Sequence, residues 1–496
     1  MSGEDNFPFL PKGWAWTELE ELVLNPKNDI VDGPFGSDLK ASEYVDEGIP
    51  IIRLQNVERN LFITKNIRYI RPEKARQLRR HSFSKDDIVI TKLGDPLGEA
   101  CIVPQTIGEG IIVADIVRLR IDEKHVSRKY LVYAINSDFA VKQFKLNTKG
   151  TTRPRVNLGY IRKLKIPIAP FPEQIRIAVK IEELFTKLDA GVESLRKVRT
   201  QLKRYRQAVL KYAFEGKLTE EWLKTHKDQI EPASILLECI KEERKKKLEE
   251  KYRELPPIDT SDLPELPELW TWIRIKDISE IILGQSPPSS TYNENGNGLP
   301  FYQGKLEFGK IYPSPRKWCT APKKTAEKGD VLISVRAPVG PTNICPGKSC
   351  IGRGLAAIRG LGGIETLFIL YLMRTFESVI AGKGTGTTFN AITGDQLREI
   401  VIPLPPLHEQ HKIIEEIERS LSVADKVEES TEQGLKQAER LRQSILKKAF
   451  GGKLVPQDPS DEPAEKLLAR IKEGKARHEN RTNKSYSKEM GLVHYV

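Results

Sequence analysis

The residues of this chain best suited to chemistry are cations. From Lys142 to Lys165 it reads KQFKLNTKGTTRPRVNLGYIRKLK, with Lys142, Lys145, Lys149, Arg153, Arg155, Arg162, Lys163 and Lys165 and no acid. Lys and Arg neutralise phosphates, while the Gly, Thr and Asn between them offer backbone N–H groups, hydroxyls and amides to phosphates or base edges. A second stretch, AGKGTGTTFNAITGDQLREI (Ala381–Ile400), repeats the Gly and Thr, and Lys305, Lys310, Arg316, Lys317, Lys323, Lys324 and Arg336 precede it. Any single lysine here also reads as a solvated side chain, but two such stretches in matching positions point to DNA. Position and charge select Arg53, Gln55, Asn56, Lys142, Lys145, Lys149, Thr151, Thr152, Arg153 and Arg155 as DNA contacts in the first half. In the second half they select Lys305, Arg336, Lys383, Thr387, Thr388 and Asn390. The net charge of +12 over 496 residues agrees with a polyanionic partner.

No catalytic centre can be picked out. There is no GxxxxGK[ST] phosphate loop. An adenine methyltransferase needs a Phe-x-Gly-x-Gly loop and an Asn/Asp-Pro-Pro-Tyr/Phe tetrapeptide, and neither is present; SPPS (Ser286–Ser289) and LPPL (Leu404–Leu407) lack the required residues. The five cysteines (Cys101, Cys239, Cys319, Cys345, Cys350) form no CxxC pair, and HEQH (His408–His411) is not the HExxH zinc signature, so no metal site is expected. Few, scattered cysteines suit reduced thiols. No apolar run reaches the ~20 residues that span a bilayer, and MSGEDNFPFL has no signal pattern, so the expectation is a cytoplasmic protein without membrane contact.

The elements that must position the cations occur twice. Gly150–Thr219 aligns with Gly386–Val455 without a gap: GTT with GTT, KIPIAPFPEQ with VIPLPPLHEQ, RQAVLKYAFEGKLT with RQSILKKAFGGKLV. Beyond a shorter linker, EPASILLECIKE (Glu231–Glu242) matches EPAEKLLARIKE (Glu462–Glu473). Upstream the kinship is looser: LPKGWAWTEL echoes LPELWTWIRI, and DDIVITKLGDPLGEACIVP echoes GDVLISVRAPVGPTNICPG. One module is written twice, with a divergent front and a well-matched back. That implies one individual task and one shared task per copy.

Each back part predicts a long helix. Pro172-Glu173-Gln174 suits a first turn, where proline loses no hydrogen bond and a carboxylate meets the positive helix end. Apolar residues then recur every three or four positions, with Ile181, Leu188, Leu195, Leu202, Tyr205 and Val209 as the first stripe. Ile417, Leu421, Ala424, Val427, Ala438, Leu441 and Ile445 form the second, weakened by Glu428, Thr431 and Gly434. A mid-helix glycine costs roughly 1 kcal/mol against alanine. The helices either pair with each other, antiparallel about a pseudo-twofold axis, or pack each on its own domain; pairing is the preferred reading. The front parts are short β-rich runs broken by Gly, Pro and Asn, with helical stretches between them: an irregular α+β domain. The expected segments are 1–170 and 266–406 for two recognition domains, 171–216 and 407–452 for the spacer helices, 217–265 for a charged linker and 453–496 for a C-terminal tail.

Two variable α+β modules, each followed by a PPxxEQ…RQ(A/S)ILxxAFxGKL helix, resemble the specificity subunit of a type I restriction–modification enzyme. The motifs stand at Pro170–Gln174, Arg206–Leu218, Pro405–Gln410 and Arg442–Leu454, with VLISVRAPVG at Val331–Gly340. The resemblance implies that each front half is a target recognition domain reading one half of a bipartite, asymmetric site in double-stranded DNA. It implies that the helices form an antiparallel coiled coil that spaces these domains and binds two modification (methyltransferase) subunits. Those subunits carry S-adenosylmethionine and methylate adenine, and two restriction subunits add ATP- and Mg2+-dependent translocation and cleavage. The specificity subunit itself is non-catalytic and binds no cofactor. The alternatives are a stand-alone DNA-binding regulator and a single-chain methyltransferase or nuclease; the missing cofactor motifs disfavour the latter.

Overall fold

The computed structural model describes residues 9–148, 154–249, 256–382 and 391–492, with side chains left undescribed at 247–248 and beyond 478. The chain divides into two compact units, Met1–Leu195 with Gln433–Val496, and Arg196–Glu432.

In the first unit, one antiparallel sheet carries Ile30–Asp32, Ile116–Leu119, Ile88–Thr91 and Ala100–Ile102 in spatial order. A second sheet carries Arg68–Ile70, Ile49–Ile52, Gly110–Ile112 and Ser82–Phe83, its middle pair parallel. Ile88–Thr91 is buried along its whole length because both faces are covered. Ile88 and Ile90 enter the main core, while Val89 joins Ile52, Phe83 and Ile112 on the other side. That is the two-residue side-chain period of a strand working in two directions.

The second unit repeats the plan. Ser279–Leu283, Leu355–Gly360, Val331–Ser334 and Thr342–Ile344 stand in the same order. Tyr292–Asn293, Lys317–Cys319, Leu299–Tyr302, Ser349–Ile351 and Thr325–Ala326 form the partner sheet, again with one parallel pair. Val331 and Ile333 face the main core and Leu332 the other side. The loop-rich sequence thus builds ordered sheets, and the two divergent fronts share one topology. A two-stranded ribbon closes each front part: Ala15–Glu18 with Lys165–Ile168, and Thr271–Arg274 with Val401–Leu404.

The long helices are Phe171–Phe214 and Leu407–Phe450, 44 residues each and about 66 Å at 1.5 Å per residue. Within each unit one half of each helix packs against the other, antiparallel. In the first unit Asp189 takes an ion pair from Arg442, whose guanidinium also lies 4.6 Å from the Phe185 ring centre, and Leu195 lies against Gly434. In the second, Arg206 bonds both Asp425 and Glu428 at 2.7 Å.

The buried side of these helices corrects the predicted stripes. Ile181, Leu202, Val209, Ile417 and Ala438 are buried, and Leu188, Leu195, Leu421 and Ile445 are half-buried. Tyr205, Val427 and Leu441 instead face outward, at 44%, 39% and 45% exposure. Their neighbours Arg206, Glu428 and Arg442 turn inward, because their long stems pack while their charges pair. The second helix then shows a regular series through Ile417, Leu421, Ala424, Glu428, Thr431, Leu435, Ala438, Arg442 and Ile445, in alternating steps of four and three. Its polar centre is part of the seam. Thr431 is buried and returns its hydroxyl proton to the Val427 carbonyl at 2.7 Å. A Cβ on Gly434 would stand 3.1 Å from Leu195, so glycine suits this close approach.

The twice-written AFxGKL phrase ends each helix. Gly216 and Gly452 adopt φ of +74° and +65°, the left-handed stop that glycine tolerates. A Cβ on Gly216 would meet Pro267 at 2.5 Å, and one on Gly452 would meet Pro11 at 2.2 Å. The end of the first helix therefore packs on the LPxxW stretch of the second copy, and the end of the second helix on that of the first. Phe214 sits 5.5 Å from Phe368, and Phe450 sits 5.3 Å from Tyr130, centre to centre. The following helices continue this exchange: Ala233 N donates to Leu269 O, and Ala464 N to Gly13 O. The segment expected as a tail contains the helix Ala464–Leu492, whose Ala464, Leu467 and Ile471 enter the first unit's core.

Candidate nucleic-acid interface

In the first unit the central strand Ile88–Thr91 runs out into the loop Lys92–Gly98. The segment after the GTT stretch lies beside it: Gly94 N donates to Pro154 O at 3.1 Å, Val156 N to Lys92 O at 3.0 Å, and Leu93 bridges Arg155. Two ion pairs brace this loop pair. Arg155 holds Asp115 at 2.6 Å with its side chain still 55% exposed, while the nearly buried Lys92 holds Asp32 at 2.5 Å.

The second unit builds the same loop pair with different residues. Val331–Ser334 leads to Arg336, which bridges Ala391, and Ile392 N donates to Val335 O at 3.0 Å. Arg336 thus takes the position of Leu93, and Ala391 that of Arg155. The cation has moved from one member of the pair to the other.

A shared frame holds both loop pairs. Asp87 and Asp330, just before the two central strands, are buried, and each accepts two hydrogen bonds from an arginine on the neighbouring strand or just past its end. Arg120 grips Asp87 at 2.9 and 2.7 Å, and Arg359 grips Asp330 at 2.8 Å twice. Such bidentate pairs fix geometry as well as charge. The hydrogen bonds to these aspartates push both arginines further up. The echo of DDIVI and GDVLI was the sequence signal for this frame.

The remaining predicted contacts fall in several places. Lys142 and Lys145 are exposed on the helix Asp138–Leu146, close in sequence to the GTT stretch. Arg53 and Gln55, with Asn66 and Arg68, line a pocket beside the other sheet. Arg53 donates to the Asn66 carbonyl at 2.6 Å and lies over the Tyr44 ring. Among the described residues no hydrogen bond or ion pair joins Arg53 or Gln55 to Arg155. Lys305 is exposed at the start of the short turn Lys305–Glu307. Asn56 must be corrected: it is fully buried, accepts from Arg53 N at 3.0 Å and donates to Ile63 O at 3.0 Å, so its amide shapes the turn and is closed to a base. Lys310 is tied to Asp425 of the second long helix. Lys149, Thr151, Thr152, Arg153, Lys383, Thr387, Thr388 and Asn390 lie outside the described residues. Lys92 and Asp115 were missed, since an isolated Lys and Asp carry no pattern until the fold joins them.

Among the described residues no cluster of three or more His, Cys, Asp or Glu is arranged to hold a metal, and no helix is long and apolar enough to cross a membrane. The geometry is that of a binding scaffold: ordered sheets presenting cation-bearing loops that differ between copies.

The family model for the type I restriction modification DNA specificity domain matches residues 38–204 and 267–437. A protein of Methanocaldococcus jannaschii described as the type I restriction enzyme MjaX specificity subunit is 28% identical over 455 residues, covering 90% of this chain and 94% of that protein. The crystal structure of the HsdS subunit from Thermoanaerobacter tengcongensis superposes with a TM-score of 0.53 at 27% identity, over 90% of this chain and 98% of that one. A structure solved in work on complex assembly and conformational transition of the type I R-M system reaches 0.63 at 28% identity, over 90% and 100%. The chain belongs to the type I restriction–modification DNA specificity family. Its class is a specificity subunit, which is non-catalytic.

Proposed function

We propose that the chain is the DNA-recognition subunit of a type I restriction–modification complex and that it reads a bipartite, asymmetric site. The observation that carries this reading is the loop pair built twice on one frame with its cation relocated, Arg155 in one copy and Arg336 in the other. An invariant frame suits a common task, and different residues on it suit different half-sites, because base edges are distinguished by which side chain stands where. The predicted contacts Lys142, Lys145, Arg53, Gln55 and Lys305 extend the two surfaces, and those of the two GTT stretches remain proposed DNA contacts. The paired helices act as the spacer and as the binding surface for two methyltransferase subunits and two restriction subunits. S-adenosylmethionine, ATP and Mg2+ belong to those partners, and the complex works in the cytoplasm. The test is a genome-wide adenine methylation map of cells expressing this chain with its methyltransferase subunit, against cells lacking the chain. A new two-part motif is expected. No new motif, with both subunits folded and associated, would overturn the reading in favour of a regulator.

A further inference from the structure

The loop Gly33–Asp38 of the first unit follows the edge strand Ile30–Asp32 and holds an apolar ring in water. Phe35 is 76% exposed, although Gly33, Pro34 and Leu39 on either side are buried. The loop is anchored. A Cβ on Gly33 would stand 2.1 Å from the Val113 carbonyl carbon, Gly33 N donates to Ile116 O, and Asp38 N closes the turn onto Phe35 O at 2.9 Å. Phe35 is therefore presented by its backbone.

Its surroundings are those of the DNA-facing loop pair. Asp32, one residue before Gly33, holds Lys92, and Lys92 N donates to the carbonyl of Asp115, whose carboxylate holds Arg155. Phe35 is thus tied through Asp32, Lys92 and Asp115 to the exposed guanidinium of Arg155. An exposed ring on the same scaffold as an exposed guanidinium suits a duplex, where the guanidinium meets a base edge and base faces meet the ring.

The second copy decides between DNA and a partner protein. There the same edge strand, Ser279–Leu283, leads into Gly284, whose Cβ would likewise collide with backbone, at 2.2 Å from Gly352 O. The residues that follow are Gln285, Ser286, Pro287 and Pro288, with no aromatic among them. A surface for a partner that both copies bind should recur in both. The ring occurs in one, as expected of a residue serving one half-site.

We propose that Phe35 stacks on the bases of the half-site read by the first unit, opening a base step as Arg155 holds the duplex. This rests on the function proposed above. The test uses the complex of this chain with its methyltransferase subunit and duplexes carrying the mapped motif, with 2-aminopurine placed in either half. Stacking is worth ~1–3 kcal/mol per base, so Phe35→Ala should weaken binding about 5- to 150-fold. It should abolish the 2-aminopurine fluorescence change in the first half-site alone, and leave the salt dependence of binding unchanged, because every phosphate keeps its cation. Phe35→Trp should retain binding. Wild-type binding and fluorescence in Phe35→Ala, with R155A weakened as expected, would overturn the proposal. So would loss of the methyltransferase subunit from Phe35→Ala, which would make the ring a protein contact. A wild-type complex that yields no motif would instead defeat the underlying function.

Discussion

The indole N–H of Trp14 donates to the Glu173 carboxylate at 3.0 Å, and the same bond recurs between Trp270 and Glu409 at 2.8 Å. Both glutamates open a long helix and both are buried. Glu409 also accepts from the Thr219 hydroxyl at 2.6 Å, which ties the end of the first helix to the start of the second within one unit. The paired Glu-Gln of the two helix starts is therefore a joint: Gln174 and Gln410 each donate to a preceding backbone carbonyl at 2.9 Å.

Burial raises the carboxyl of Glu409, and of Glu173, above the usual range, against the hydrogen bonds that favour the charged form. A carboxyl raised by folding contributes most below its unfolded value of about 4.3, and that contribution is lost as pH rises through the folded value. Glu409→Gln can accept from Trp270 through its amide oxygen and donate to the Thr219 hydroxyl through its amide N–H, and it removes this loss. Its melting temperature should fall less than that of the wild type as pH rises from about 4 through neutrality. Trp270→Phe leaves a buried acceptor unpaired and should cost about 1–3 kcal/mol. Thermal melts across that pH range check both.

Gly452→Ala combines a left-handed backbone with a collision against Pro11, and Gly216→Ala does the same against Pro267. Each should destabilise by more than about 1 kcal/mol. An alanine at Gly347, where φ is not positive and the space is open, is the control and should change little. Urea unfolding compares the three.

The inward charges of the helix seam make a separable test. Removing Arg206 alone leaves Asp425 and Glu428 as neighbouring like charges on one helix, with Lys310 still beside Asp425. Arg206→Ala should cost about 1 kcal/mol, and Arg206→Leu with Glu428→Leu should recover most of it, since apolar packing replaces a partly buried pair well. A double-mutant cycle on the full chain gives the coupling.

Arg155→Ala and Arg336→Ala should act on different halves of the DNA site. Deleting a base-reading side chain from one loop pair costs ~1–3 kcal/mol and relaxes specificity at that position, and the other half-site stays intact. Methylation maps for the two variants, compared position by position, show whether the effects separate. Adding about four residues, one turn, between Phe185 and Tyr205 should alter the unread gap and leave both half-sites alone.

Much of this was legible in the residues. The gapless match of Gly150–Thr219 with Gly386–Val455 announced the duplication, and its 3–4 spacing announced the helices, because a helical period needs only local sequence. The inward face was misjudged at Tyr205, Val427 and Leu441 because hydrophobicity alone ranks Val427 above Glu428. Only a facing Arg206 makes the glutamate the better inner residue. Asn56 failed for a related reason: a polar side chain looks equally suited to a base edge and to a turn until its partners are known.

The amino-acid sequence by itself determined that the chain is one module twice, that each module ends in a long helix stopped by glycine, and that cations gather around the first GTT stretch. These are statements about neighbours along the chain, which backbone propensity and side-chain period express directly. Tertiary structure alone decided that AFEGKLT packs on the second LPxxW stretch and AFGGKLV on the first. It also decided that Asp115 steadies Arg155, and that Phe35 stands in water while its neighbours are buried. Those depend on contacts between residues far apart in the chain, whose energies exist only once the sheets and helices have closed around them.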